Sequence, residues 1–230
     1  ILRAIRFAAK LQWGLDQTLS QAIMHYKSKL FHASSERLLI ELQKLLGTGH
    51  AVHAFALAIK QGVWGIMFPK WFALWQDQLS QQHKTFIDGL LHSTDQRFKH
   101  GETIAISFLL ASLYWPYIEI GMTASSEKKR FKSPADWLSS PLYSKVKQAA
   151  LHDMVTLIHL SYELKGKINA LFDFQCALYQ SQTDDNQILN TAIAPQGMQM
   201  MSLLCRYHLF PWALASTWYT RYYPSNDSVR

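Results

Sequence analysis

Two histidines at helical spacing are the first residues in this chain whose types suggest metal chemistry. His50 and His53 lie three residues apart on a predicted helix. Side chains three or four apart share one helix face, so this spacing can present two ligands to one ion. No third ligand accompanies the pair, and the flanking residues are of the kind that pack. We therefore expect both histidines to have structural roles.

A second pair, His152 and Asp153, has His159 one helical repeat further on. The pair resembles the adjacent His-Asp pair of helical metal phosphohydrolases, which keeps metal-dependent phosphate hydrolysis open as an alternative function. A complete site also needs a further His and a distant Asp, and the sequence does not single these out.

The residue patterns of other catalytic classes are missing. Two-metal nucleotidyl transfer needs carboxylates that converge on divalent ions, but Asp184 and Asp185 are adjacent in a polar turn. Gly47 and Gly49 follow a helix and lack the later Gly and Lys of a phosphate-binding loop, and no G-x-S-x-G elbow occurs. We predict no catalytic residue, no metal site and no cofactor within this chain.

Basic residues are arranged in a way that suits a polyanion. At 100° per residue, Arg3, Arg6 and Lys10 form one stripe of the opening helix, opposite an apolar stripe. Cations fixed on a helix lose less entropy on meeting phosphates than cations on a loop. We predict that these three residues contact RNA, although an ordinary solvated helix face is the alternative.

A second basic cluster lies in the longest loop-like segment, 123–141. Its residues Lys128, Lys129 and Arg130 are predicted to follow a nucleic-acid backbone. A charged surface loop is the alternative explanation.

The elements that must position these residues all show helical periodicity, so the predicted fold class is all-α, a bundle-like array of many helices. Asp16 and Ser34 or Ser35 are predicted helix caps, and Pro116 is predicted to end the most apolar helix, which should lie at the centre. The predicted divisions are a neck and body region at 1–122, a basic linker at 123–141 and a helical tail at 142–230.

Composition limits the class of protein. The 230 residues carry 23 Lys and Arg against 16 Asp and Glu, and 49% of them are hydrophobic. This predicts a globular chain with a sizeable core and a net charge of +7 that favours polyanions. Two cysteines without metal spacing argue against zinc and a disulfide framework. Because no apolar run is long enough to span a bilayer and no signal peptide is present, we expect a cytoplasmic protein without membrane contact.

Several sequence blocks together resemble the bacterial poly(A) polymerases. These enzymes belong to the class II nucleotidyltransferases, a class that also includes the CCA-adding enzymes. The opening ILRAIRFAAKL is similar to the helix that follows this family's Glu-Asp-x-x-Arg motif. The stretch from Ala33 to Pro69 is similar to the neck and body helices, with Ser34, Glu36, Arg37 and Glu41 matching S-x-E-R-x-x-x-E. HSTDQRF and FLLASLYWPYIE are similar to the polyadenylating branch.

The resemblance implies that catalysis and RNA binding lie in different parts of the protein. In this family an upstream α/β head holds the metal-binding aspartates, the triphosphate grip and the base-recognition motif. We therefore expect an RNA-binding, head-supporting region that is not catalytic alone. The implied parent reaction is addition of AMP from ATP to an RNA 3′ end, with ATP and Mg²⁺ bound by the head. The implied partners are RNA and that head.

Glu36, Arg37 and Glu41 are assigned to a structural brace, because an Arg fork near a helix start can tie neighbouring helices through bidentate hydrogen bonds. Two further alternatives remain open. One is a CCA-adding enzyme fragment, which the Ser-x-Glu-Arg pattern also fits. The other is a protein-interaction scaffold that uses the aromatic segment 212–223.

Overall fold

The computed structural model describes residues 1–124, 133–179 and 186–223, and these contain helices and no strand. The predicted all-α class is confirmed. Within the described residues, the 3₁₀ segments Lys27–His32 and Pro134–Ser139 accompany the α-helices. The α-helices are α1 (Leu2–Lys10), α2 (Gln17–Tyr26), α3 (Ser35–Leu46), α4 (Ala51–Lys60), α5 (Val63–Met67), α6 (Pro69–Asp77), α7 (Gln81–Lys99), α8 (Ile106–Thr123), α9 (Pro141–Met154), α10 (Tyr162–Ala177), α11 (Asn186–Leu189), α12 (Ala194–Arg206) and α13 (Trp212–Tyr222).

Local sequence fixes several helix starts. An Asp16 carboxylate oxygen accepts the Leu19 N–H at 2.8 Å, and the Ser34 hydroxyl accepts the Arg37 N–H at 3.4 Å. Each side chain thereby satisfies a backbone donor that the first helical turn leaves unpaired. The predicted caps of α2 and α3 are confirmed.

The first layer is built around α4, which packs against α1, α3, α5 and α7. Leu2, Ile5 and Ala9 of α1 are buried in this layer. Gly62 follows α4 with φ of +65°, a left-handed conformation that glycine adopts without a Cβ penalty. The chain can therefore turn sharply from α4 into α5.

The helix α8 lies at the centre, as the sequence predicts. It contacts α6, α7, α9, α10 and α12, and nearly every residue from Ser107 to Ile118 is buried. Apolar area buried on all sides contributes about 25 cal/mol per Å². This helix therefore holds the two halves of the described chain together.

Pro116 does not end α8, contrary to the sequence prediction, since the helix continues to Thr123. A proline inside a helix removes one backbone donor and crowds the preceding turn, at a cost of about 3 kcal/mol. Two features offset this cost. Pro116 is itself buried, and the Trp71 indole N–H donates to the Leu113 carbonyl in the same turn at 2.7 Å.

Two glycines allow α12 and the residue that follows it to pack closely against α7 and α10. A Cβ on Gly89 of α7 would overlap the Tyr207 ring that follows α12. A Cβ on Gly197 of α12 would overlap the Phe174 ring of α10. These two contacts fix α12 between α7 and α10.

The predicted divisions at 1–122, 123–141 and 142–230 stay a prediction, because residues 125–132 lie outside the described part. Helices on both sides of that segment pack on one another, α8 against both α9 and α10. Within the described ranges, every helix is too short or too polar to cross a membrane.

Candidate nucleic-acid interface

The exposed stripe of α1 consists of Arg3, Phe7 and Lys10. These residues are spaced by four and three, so they lie on one face of the helix, opposite its buried apolar stripe. The Phe7 side chain is 45% exposed between the two cations. The sequence prediction included Arg3 and Lys10 but missed Phe7, although the same helical spacing places it there.

Arg6, the third predicted RNA-binding residue of α1, lies toward α3. Its Nε donates to a Glu41 carboxylate oxygen at 3.1 Å, and the two side chains are only 15% and 23% exposed. The guanidinium also lies over the Phe7 ring, 4.7 Å from its centre. Arg6 therefore joins α1 to α3 and holds Phe7 in place.

The structure corrects the predicted brace. Glu41 pairs with Arg6 rather than with Arg37, whose side chain is exposed and makes no ion pair with a described residue. Glu36 accepts the Ser34 hydroxyl at 2.8 Å. Hydrogen bonds from its own backbone N–H and from Ser34 lower the pKa of Glu36. The interhelical contact thus involves one of the three predicted residues, because the cation that reaches Glu41 comes from α1.

The segment after α2 adds a second cation and ring. Lys29 Nζ lies 4.6 Å from the centre of the Tyr26 ring, and the Tyr26 side chain is 46% exposed. Lys27 instead donates to the Gln61 carbonyl at 3.5 Å, at the end of α4. Lys29 is therefore available to a ligand, while Lys27 serves the fold.

Charge and exposed apolar surface both concentrate near the N-terminal end. The first 35 residues contain five Lys or Arg and a single acidic residue, Asp16. The following large apolar side chains among the first 40 residues are exposed: Phe7, Leu11, Trp13, Leu19, Met24, Tyr26, Phe31 and Ile40. Cations among exposed aromatic rings favour phosphates together with unpaired bases.

The other predicted cations, Lys128, Lys129 and Arg130, lie outside the described residues. Their assignment to RNA stays a prediction.

A family model matches the part of the chain that contains α2 to α5 and most of α6. Residues 14–74 match the family described as the probable RNA and SrmB-binding site of polymerase A. The chain is also 31% identical over 115 residues to poly(A) polymerase I of Haemophilus influenzae, covering 50% of this chain and 25% of that protein.

Two further relatives match part of this chain. Poly(A) polymerase I of Escherichia coli O6:H1 is 26% identical over 128 residues, covering 55% of this chain and 28% of that protein. The CCA-adding enzyme of Geobacillus sp. strain WCH70 is 38% identical over 63 residues, covering 27% of this chain and 16% of that enzyme. Over about half of its length, this chain is therefore similar to poly(A) polymerases and CCA-adding enzymes. The aligned part spans about a quarter of the two polymerases.

In the part of the chain that matches the family model, two helices are capped by carboxylates from outside that match. The Asp95 carboxylate of α7 accepts the N–H groups of Ala51 and Val52 at 2.6 and 3.2 Å, at the start of α4. A carboxylate at a helix N-terminus pairs with orphan donors and with the positive end of the helix dipole. Asp95 belongs to the HSTDQRF block, so in this chain that block contributes the cap of α4.

Asp153 does the same for α6. Its buried carboxylate accepts the N–H groups of Lys70 and Trp71, each at 2.9 Å, and the Tyr114 hydroxyl at 2.8 Å. Burial, and then the neighbouring Asp153, raises the pKa of Tyr114 well above its ordinary value.

The Asp153 contacts weigh against the phosphohydrolase alternative. Its carboxylate is committed to three protein donors, and His152 beside it is exposed. Among residues 1–124, 133–179 and 186–223, no three His, Cys, Asp or Glu side chains form a group suited to a metal ion.

Proposed function

We propose that this chain binds RNA through the exposed stripe of α1 and the neighbouring Tyr26 and Lys29. The observation that carries the proposal is the placement of Arg3 and Lys10 on either side of Phe7, on a helix that its buried face holds rigid. Cations fixed in this way can neutralise successive phosphates, and the ring offers a surface for stacking bases. The family match over residues 14–74 supports RNA as the ligand.

The further role is to present RNA to a catalytic head of the poly(A) polymerase type. In this proposal the head adds AMP from ATP, with Mg²⁺, to the 3′ end of the bound RNA, and this chain supplies no catalytic group. The exposed Leu11 and Trp13 beside the basic stripe offer apolar area that the head can cover. The names of the two polymerase relatives support this assignment.

The first test is the salt dependence of RNA binding. Each phosphate contact contributes about −0.7 to the slope of log K against log salt for a single strand. Removing both cations in Arg3→Gln/Lys10→Gln should weaken binding of a single-stranded RNA and flatten the slope by about 1.4. The matched control is Lys145→Gln/Arg206→Gln, which removes one exposed Lys and one exposed Arg from α9 and α12.

Two outcomes contradict the proposal. Equal slopes for the two double variants would remove α1 from the interface. Negligible RNA affinity of the wild type at physiological salt, together with stable capture of a protein partner, would favour the interaction scaffold instead.

A CCA-adding parent is the second candidate, because the Geobacillus enzyme shares 38% identity over 63 residues. The decisive substrate comparison uses a protein in which a head precedes this chain. Extension of a tRNA that lacks its 3′ CCA, but not of a generic RNA, would select the CCA-adding reaction. Extension of generic RNA with ATP alone would select polyadenylation.

A further inference from the structure

A groove between α4, α6 and α7 lies outside the interface described above. Its cavity volume is about 340 Å³. That volume is within the range of small-ligand pockets, which are mostly apolar with a few polar groups. Its apolar walls come from Val52, Phe55, Ile59, Trp75, Ile87 and Leu91.

Trp75 forms a rigid aromatic wall of this groove. Its indole stacks on Trp71 with ring centres 5.6 Å apart and an interplanar angle of 15°, and the Phe55 ring meets it edge-on at 5.4 Å. Lys84 Nζ lies 5.4 Å from the centre of the Trp75 ring. Because these contacts already hold the Trp75 ring in place, the ring loses little conformational entropy when a flat ligand stacks against it.

Three charged side chains stand around the groove. Lys60 and Asp88 line it and are exposed, and Lys84 approaches it through its contact with Trp75. Within the described residues neither lysine forms an ion pair with a carboxylate, whereas Asp88 contacts His92 at 3.4 Å. The groove thus combines an aromatic wall, two available cations and one carboxylate acceptor.

We propose that this groove binds one nucleotide unit of RNA, with the base against Trp75 and the phosphate at Lys60 and Lys84. The Asp88 carboxylate can accept a hydrogen bond from an exocyclic amino group of the base. The two cations favour this occupant over an apolar helix of a partner protein, which would leave them unused. The inference rests on the proposed RNA-binding function and adds a second contact to it.

The test compares three small probes by isothermal titration: adenosine 5′-monophosphate, adenosine and ribose 5-phosphate. The nucleotide should bind saturably, the nucleoside more weakly and the sugar phosphate not measurably, because base and phosphate each contribute. Stacking on one aromatic side chain changes affinity by about fivefold or more. Trp75→Leu should lower nucleotide affinity by at least that factor.

Because Trp75 also packs on Trp71, a second variant guards against a folding defect. Ala56 is exposed and lines the groove, so Ala56→Phe should block it without disturbing the core. Lys60→Gln should weaken the nucleotide and leave adenosine unchanged. Lys44→Gln, an exposed lysine of α3, is the matched control and should change neither.

The outcomes separate this inference from the proposed function. Absence of saturable nucleotide binding, or undiminished binding in Ala56→Phe, overturns the groove proposal. RNA binding that still depends on Arg3 and Lys10 would then leave the proposed function intact. An apolar peptide that binds wild type but not Ala56→Phe, without competition from the nucleotide, would assign the groove to a protein partner and also overturn the proposal.

Discussion

Removing the Asp153 carboxylate should destabilise this protein strongly. In Asp153→Ala, the N–H groups of Lys70 and Trp71 lose their cap, and the buried Tyr114 hydroxyl loses its acceptor. A lost helix cap costs about 0.5–2 kcal/mol, and a buried polar group left without a partner costs about 1–3 kcal/mol. With the cavity included, we expect a loss of about 3–5 kcal/mol, a large part of the total of about 5–15 kcal/mol.

The assay is equilibrium unfolding in urea, monitored by circular dichroism, with Asp153→Asn and Asp88→Asn beside the alanine variant. Asp153→Asn keeps one acceptor oxygen and should lose less than Asp153→Ala. Asp88 is exposed, so Asp88→Asn should change the free energy of unfolding by less than about 0.5 kcal/mol. A change below about 1 kcal/mol in Asp153→Ala would refute the capping argument. A metal-dependent phosphatase activity that this variant abolishes would show that the carboxylate has a catalytic role instead.

Three further predictions concern packing, the ion pair and pH. Gly89→Ala should destabilise the protein by about 1–3 kcal/mol, because the new Cβ would overlap the Tyr207 ring. Gly166→Ala lies in open space on a helix and should stabilise it by up to about 1 kcal/mol. A lower melting temperature for Gly166→Ala than for Gly89→Ala would refute this reasoning. A double-mutant cycle on Arg6→Met and Glu41→Gln should give a coupling of about 1 kcal/mol, and a value near zero would remove the ion pair as a link between helices. Burial raises the pKa of Cys176 to about 12, so the folded thiol keeps its proton after the unfolded one has lost it. The contribution of the Cys176 thiol to stability should therefore be constant below about pH 8.5 and then fall by about 1.4 kcal/mol per pH unit. Cys176→Ala should lose less stability than wild type between about pH 9 and 10, and identical profiles for the two would contradict the assignment.

The sequence pattern predicted a structural feature correctly where the residues that cause it are close together in the chain. Asp16 and Ser34 cap helices through donors three residues away, so their types and positions predict what the structure shows. The apolar run from Ile104 to Ile118 likewise predicts a buried, central helix. Pro116 was misjudged because the donor that stabilises its turn, Trp71, lies more than 40 residues earlier in the chain.

In the candidate interface, too, local sequence predicts some features and long-range packing decides others. The exposed stripe of α1 could be predicted from helical spacing, including Phe7, which reasoning from charge alone missed. The partner of Glu41 could not, because Arg6 and Arg37 are both basic and only the packing of α1 on α3 decides which one reaches it. The caps from Asp95 and Asp153 join positions about 40 and 80 residues apart, and no local pattern encodes such contacts.

The most direct test of the RNA-binding surface is lysine-reactivity footprinting of the wild-type chain, read by mass spectrometry with and without a single-stranded RNA. Bound RNA should protect Lys10 and Lys29 from acylation, while Lys145 of α9 and Lys167 of α10 keep their reactivity. Protection confined to α9 and α10, or unchanged reactivity of Lys10 and Lys29 under saturating RNA, would contradict the assignment of RNA to the α1 surface.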